Sequence, residues 1–294
     1  QAQSTISFLL HVTKPVNNLR LVVKGELRVI WAPRDNDAEP PRPIQVDVLH
    51  YTISLRQGNP AFTEVLSLEP NPSMPQSDAL EPVILYDLRN DGFTDIIFPS
   101  ANRVYHNSGP GAFKADVMSY QISSRLDAAV IADFTGDALP DLLVGGMGGG
   151  LEIYPGVPDG AFGNPRVAAE LPQNFDWPSV ITAGDIDADG DLDVWVTQYK
   201  PPYAFGQMPT PFYDANDGFP AYLLLNKGDG SFIDATESSG LGRKRLRRTY
   251  SSSLVDLDND QDLDLIVVSD FAGIDIYLND GKGQFTDSTT DLIG

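Results

Sequence analysis

The 294-residue chain has no cysteine, which removes disulfide scaffolds, zinc–thiolate sites, iron–sulfur clusters and thiol nucleophiles together. Histidine is almost as scarce. His11, His50 and His106 are the only three, and they lie far apart without the HExxH spacing of a zinc protease, so imidazole catalysis has little to draw on. No apolar run approaches the roughly eighteen residues that a membrane helix needs; the stretch Ile6–Leu10 is the longest near the start. Positive charge is short too: 20 basic against 41 acidic residues leave a formal charge of −21. Such a surface repels nucleic-acid phosphates and anionic lipid, which argues against nucleic acid and membrane insertion as partners and favours cations. The chain opens on Gln1 without the basic, apolar, small-residue order of a signal peptide, which reads as a processed mature chain or a piece of a longer one.

What is present is a repeat. A short apolar strand, a nine-residue acidic loop, two further strands and a glycine turn ending in phenylalanine recur four times. The loops are DLRNDGFTD (Asp87 to Asp95), DFTGDALPD (Asp133 to Asp141), DIDADGDLD (Asp185 to Asp193) and DLDNDQDLD (Asp256 to Asp264); the turns are NSGPGAF, PGVPDGAF, NKGDGSF and NDGKGQF. The runs after the loops, IIF, LLV, VWV and LIVV, are short, β-branched or aromatic, and read as buried strands. An EF-hand or dockerin loop opens similarly but must feed an amphipathic helix, and no helical period follows any of the four. A four-stranded sheet at roughly fifty-residue spacing can bury both faces only by stacking on neighbours, so the expected fold is an all-β propeller of four-stranded antiparallel blades. The expected units are 76–120, 121–170, 171–240 and 241–294, with a fifth over 20–75 that lacks the acidic loop and ends in RQGNPAF. Residues 1–19 are expected to lend a strand to another blade or to belong to a preceding domain.

The four loops hold a disproportionate share of the acids. Carboxylates forced to about 4 Å repel by about 4 kcal/mol per pair at an effective dielectric near 20, so such a loop calls for a cation. Oxygen ligands at alternate positions select a hard ion, and calcium tolerates irregular geometry better than magnesium. In the third loop Asp185, Asp187 and Asp189 converge from positions one, three and five, Gly190 permits the turn, Asp191 offers its carbonyl and Asp193 closes the shell. The fourth keeps Asp256, Asp258, Asp260, Asp262 and Asp264 but places Gln261 at the glycine position. These are the two expected calcium sites. The second loop offers Asp133, the neutral Thr135, Asp137, Leu139 at the carbonyl position, and Asp141. The first offers Asp87, Asp91, Phe93 and Asp95, with Arg89 at position three either neutralising the carboxylates or yielding to a metal. Up to four calcium ions are therefore counted.

The DxDxDGxxD-type loops and the turns around Phe113, Phe162, Phe232 and Phe285 resemble the FG-GAP or VCBS repeat family, the calcium-loop propellers related to the integrin α-subunit head. The stretch LLLNKGDGSFIDATESSGL, Leu223 to Leu241, is similar to repeats in bacterial secreted proteins of the ASPIC/UnbV type. The resemblance implies a propeller, typically seven-bladed, with structural calcium in loops between the first two strands of a blade; this sequence shows five units.

Two other features invite a partner. The insert Tyr199 to Pro220 is rich in aromatics, Tyr199, Tyr203, Phe205, Phe212, Tyr213 and Phe219, and in proline; it either packs on its own blade or offers rings to sugars or peptides. The run RKRLRR, including Arg243 and Arg245, either docks an anionic partner or balances nearby carboxylates. Trp177 and Trp195 are expected in the core between blades. No catalytic pair stands out, so the expected function is a non-catalytic binding, adhesion or scaffolding module, extracellular, periplasmic or at the cell surface, with a protein or glycan partner. A lectin using the aromatic insert and a polysaccharide lyase or hydrolase on the same fold are the alternatives.

Overall fold

The computed structural model describes residues 2–14, 18–33, 41–58, 62, 64–67, 82–121, 126–203, 208–209 and 211–294. Phe205 of the aromatic insert lies outside them. The chain divides into two compact units, Gln1–Ser67 and Leu68–Gly294.

The first unit is an antiparallel meander of β1 (Gln3–Lys14), β2 (Leu19–Trp31) and β3 (Pro43–Gln57). Long alternating runs dictate it: the register pairs Ile6 with Leu27 and Leu27 with Val48, then Leu10 with Val23 and Val23 with Ile53, gathering the apolar residues on one face. Ser7, Glu26 and His50 share the other face. This differs from the sequence reading. Residues 1–19 and 20–75 are not separate elements, because β1 pairs with β2 along its whole length, and β2 and β3 belong to a three-stranded sheet rather than to a blade. Strands of 12, 13 and 15 residues pair over a longer ladder than any strand of the second unit, and nothing in the segment supplies the acidic loop that closes the hairpin in the other repeats.

The second unit is propeller-like and built from four blades. The first contains β4 (Ile84–Tyr86), β5 (Asp95–Phe98), β6 (Arg103–Asn107) and β7 (Phe113–Val117). The second contains β8 (Ala128–Ala132), β9 (Asp141–Gly145) and β10 (Leu151–Tyr154), a small hairpin of β11 (Gly156–Val157) and β12 (Ala161–Phe162), and β13 (Arg166–Ala169). The third is β14 (Pro178–Gly184), β15 (Asp193–Gln198), β16 (Tyr222–Asn226) and β17 (Phe232–Asp234). The fourth is β18 (Arg248–Val255), β19 (Asp264–Asp270), β20 (Gly273–Asn279) and β21 (Phe285–Asp287), followed by the short helix α1 (Thr289–Ile293). Strands within each blade are antiparallel, and among the described residues a single parallel pairing, Ala169 with Phe232, joins the outer strands of the second and third blades.

The core lies between blades, and the period of two explains why. In β9, Leu142 and Val144 face the first blade, where they meet Ile97, Val104 and Leu88, while Leu143 faces the third blade and meets Val194, Val196 and Tyr222. In β15, Val194 and Val196 look back to the second blade, while Trp195 looks forward to Leu265, Val267 and Tyr277 of the fourth. A strand that serves two cores has no polar face, hence the continuous apolar runs. Each such Leu or Val contributes about 1.5–3 kcal/mol by leaving water.

Candidate metal centres

All four acidic loops join the first two strands of a blade and share one backbone conformation. Position one accepts amide hydrogens from positions five and six: Asp185 Oδ1 from Asp189 at 3.1 Å and Oδ2 from Gly190 at 3.2 Å, and Asp256 likewise from Asp260 and Gln261. Asp87 and Asp133 repeat the pattern. Position five accepts the amide of position seven in each loop, at Phe93, Leu139, Asp191 and Asp262. Position six is left-handed throughout, so Gly190 (φ 96°) is relaxed where Gln261 (φ 80°) and Ala138 (φ 67°) carry strain. Position four is left-handed as well, at Asn90, Gly136, Ala188 and Asn259. The sequence reading missed this, although Asn and Gly at that position are its signal.

Position nine is buried in every loop, and its carboxylate is held by backbone amides. Asp193 accepts from Ile186 and Asn226, Asp264 from Leu257 and Asn279, Asp141 from Phe134, Thr135 and Gly156, and Asp95 from Leu88 and Asn107. Burial pushes the Asp193 carboxyl up to about 6, against the pull of its two amide donors. Burial, then the Asp189 carboxylate, also raises Asp187. Asp262 rises to about 6 for the same first reason, reinforced by Asp260.

The loops differ at position three. Asp185, Asp187 and Asp193 bring one oxygen each to within 4.8 Å of one another, as do Asp256, Asp258 and Asp260. Asp187 Oδ1 and Asp262 Oδ1 are buried without a hydrogen-bond partner among the described residues. Orphaned carboxylate oxygens beside other carboxylates are the donor set a hard divalent cation satisfies, so both loops fit calcium. In the second loop the orphan is Thr135 Oγ1. In the first loop Arg89 stands inside: its Nη2 lies 3.0 Å from Asp91 Oδ2 and 3.6 Å from Asp95 Oδ1, and donates to the Asn107 carbonyl at 2.7 Å.

The partner-facing expectations separate. Tyr199 stacks on Tyr250 and donates to Asp270, so it is part of the joint between the third and fourth blades. Tyr203, Phe212 and Tyr213 are exposed. A cleft of about 550 Å³ is lined by Met147, Gly148, Phe175, Asp176, Trp177, Lys200 and Phe219. Its wall is fixed by buried Gln198, whose Oε1 accepts the amides of Asp176 and Trp177 and whose Nε2 donates to the Pro220 carbonyl. Trp195 is in the core, whereas Trp177 lines this cleft.

The basic run is occupied by the protein itself. Arg248, fully buried, grips Asp217 through Nε at 2.9 Å and Nη2 at 2.7 Å, and this contact holds the Asp217 carboxyl below its usual range. Arg247 bonds Asp275 and Asp214, Lys244 bonds Asp275 and Asp287, and Arg245 pairs with Glu237 over the Tyr222 ring. The Arg243 carbonyl accepts Asn216 Nδ2. The run therefore anchors the insert, whose Asp214, Asn216 and Asp217 supply the partners.

Blades whose first hairpin closes on a nine-residue acidic loop define a class of repeat propeller. The FG-GAP-like repeat matches residues 87–144, 133–196 and 256–294, just over half of the chain, and the chain belongs to that family. No curated protein matches it. Among the described residues no helix is long and apolar enough to cross a membrane.

Proposed function

We propose that this chain is a calcium-stabilised extracellular module that binds or scaffolds other molecules without catalysing a reaction. The observation that carries the proposal is the pair of Asp clusters, at 185/187/193 and 256/258/260, each with its oxygens within 4.8 Å. Left bare, each cluster holds mutually repelling carboxylates; filled, it joins the strands of its hairpin. Loops of this kind in extracellular modules bind with dissociation constants of about 0.1–1 mM, which suits a compartment rich in calcium. Melting curves in EGTA and in millimolar calcium test the reading, with bound metal counted by native mass spectrometry. A site at about 100 times its dissociation constant adds about 2.7 kcal/mol, and Asp187→Ala should lose one ion. Identical curves with no bound metal would overturn the proposal.

A second reading, glycan binding, is favoured by the cleft at Trp177 and Phe219, where rings border the Asp176 carboxylate and the Lys200 ammonium. A glycan array with wild type and Trp177→Ala tests it; hits that survive the substitution would point away from this cleft.

A further inference from the structure

The negative charge of the chain is unevenly spread. Residues 68–294 hold 13 basic and 35 acidic residues, whereas residues 1–67 hold 7 and 6, so the first unit is close to neutral and has no general repulsion for anions. Its cations share a face. On β2, Arg20, Lys24 and Arg28 project to the same side as Glu26, and the register adds His11 of β1 and Asp47, His50 and Arg56 of β3.

Two rows of that face are complementary. Glu26 lies opposite His50, with Oε2 3.7 Å from Nδ1, and Arg28 lies opposite Asp47. A third row breaks the rule: Thr13, Arg20 and Arg56 stand side by side on the three strands, which sets two arginines directly across one ladder. Like charges so placed are destabilising. The next row, His11, Val22 and Ser54, supplies no acid, and Lys24 follows it. Neither Arg20 nor Lys24 has a carboxylate partner among the described residues.

Between the Thr13–Arg20–Arg56 row and the His11–Val22–Ser54 row runs a groove of about 390 Å³. Successive residues of a strand point to opposite faces, so the intervening apolar row offers the groove its backbone, while these two rows offer side chains. Two guanidinium groups, an imidazole and two hydroxyls result, and each of them can donate a hydrogen bond. Among the described residues no carboxylate and no Trp, Tyr or Phe ring lines the groove.

We propose that this groove binds an anionic saccharide, with a sulfate or carboxylate group between Arg20 and Arg56 and sugar hydroxyls against Thr13 and Ser54. A guanidinium grips such oxyanions through two parallel bonds, and the anion offsets the like-charge row of the bare sheet. A nucleobase finds no ring to stack on. An acidic peptide finds a floor whose main chain is already paired in the ladders, so strand addition is closed to it. The basic run 243–248, the other place where an anion could dock, is spent on Asp214, Asp217 and Asp275. The site does not depend on the acidic loops or on calcium.

Calorimetric titration of the full chain tests this with a sulfated heparin tetrasaccharide, tetragalacturonate and neutral maltotetraose, and with tetraglutamate and a short oligothymidylate as rivals. At least one anionic sugar should bind and the neutral one should not. Arg20→Gln and Arg56→Gln, both at exposed positions, should each weaken binding about tenfold. Arg103→Gln, an equal loss of charge at an exposed position of the first blade, should leave it unchanged. Because Arg20→Gln removes a like-charge contact, its melting temperature should be equal to or above that of wild type, which separates lost binding from lost fold. No binding of either anionic sugar, binding indifferent to both groove substitutions, an equal loss in Arg103→Gln, or a rival that binds as tightly would each overturn the proposal.

Discussion

Asn279 and Asn107 occupy the same place in their turns, yet only Asn279 reaches a neighbouring blade, and that difference sets a measurable asymmetry. Asn279 is buried and makes three side-chain bonds: to Ile186 O at 2.8 Å, to Leu263 O at 3.2 Å and from the Asp280 amide at 2.9 Å. At about 1 kcal/mol net for each bond, with a further 1–3 kcal/mol for a carbonyl left dry, Asn279→Ala should cost about 4–6 kcal/mol. Asn107 bonds Thr94 O at the surface and the half-buried Gly109 amide, so Asn107→Ala should cost about 1–2 kcal/mol. With a urea slope of about 2 kcal/mol/M, the midpoints fall by about 2–3 M and by at most about 1 M. Trp195, in the core between the third and fourth blades, reports the transition by fluorescence, in chelator. Equal losses from the two substitutions would refute the claim that the asparagine acts between blades.

Arg248→Ala should destabilise by about 3–5 kcal/mol, because it empties a fully buried site and removes two charge-assisted bonds to Asp217 and one to the Lys200 carbonyl. Arg248→Lys should rescue little of this, since an ammonium cannot reproduce the two-pronged contact; both are read from urea midpoints. In metal-free buffer, stability should depend on pH in an unusual sense. The folded Asp193 carboxyl titrates at about 6 against 3.8 when unfolded, so the native state holds more protons between these values, and stability falls as pH rises from 4 to 6, by up to about 3 kcal/mol. Calcium keeps the carboxylates ionised and should abolish that slope, which thermal melts at stepped pH with and without calcium would detect.

Much of the second unit was legible because two signals coincided there: continuous apolar runs such as LLV and VWV, which mark strands with a core on each side, and acidic loops that mark the hairpin between them. Residues 20–75 carried only one signal. Their turn RQGNPAF mimics the blade turns, but the alternation over β2 and β3 runs far longer than in a blade strand, and length was the clue that it belonged to a simple meander. The basic run was legible only in part: that it balances carboxylates was one of the two expectations, but which carboxylates was not visible. Arg248 and Arg247 find Asp217 and Asp275 about thirty residues away in opposite directions, and no local pattern links those positions. The asparagines were visible in NSGPGAF, NKGDGSF and NDGKGQF, but their role was not, because donor and acceptor lie 92 and 93 residues apart.

Within the loops, four copies in one chain act as an internal substitution series that sorts the acids by duty. Position nine is Asp in all four, including the loop that holds Arg89, so its presence does not depend on a metal; its bonds to two or three backbone amides fix the loop to the turn in each case. Position one is likewise constant and likewise spent on amides. Position three changes, through Arg89, Thr135, Asp187 and Asp258, and in the first three loops it lies against the glycine turn of the next blade, at Gly160, Gly230 and Gly283. A guanidinium bound to Asp91 and Asp95 and an aspartate oxygen left without a donor are then two solutions to one problem: neutralising carboxylates at a joint where a neighbour's backbone excludes water. The first carries its cation on the chain. The second, on the proposed calcium reading, takes one from solution, so the dependence on calcium should be strongest at the joint between the third and fourth blades and weakest at the joint between the first and second.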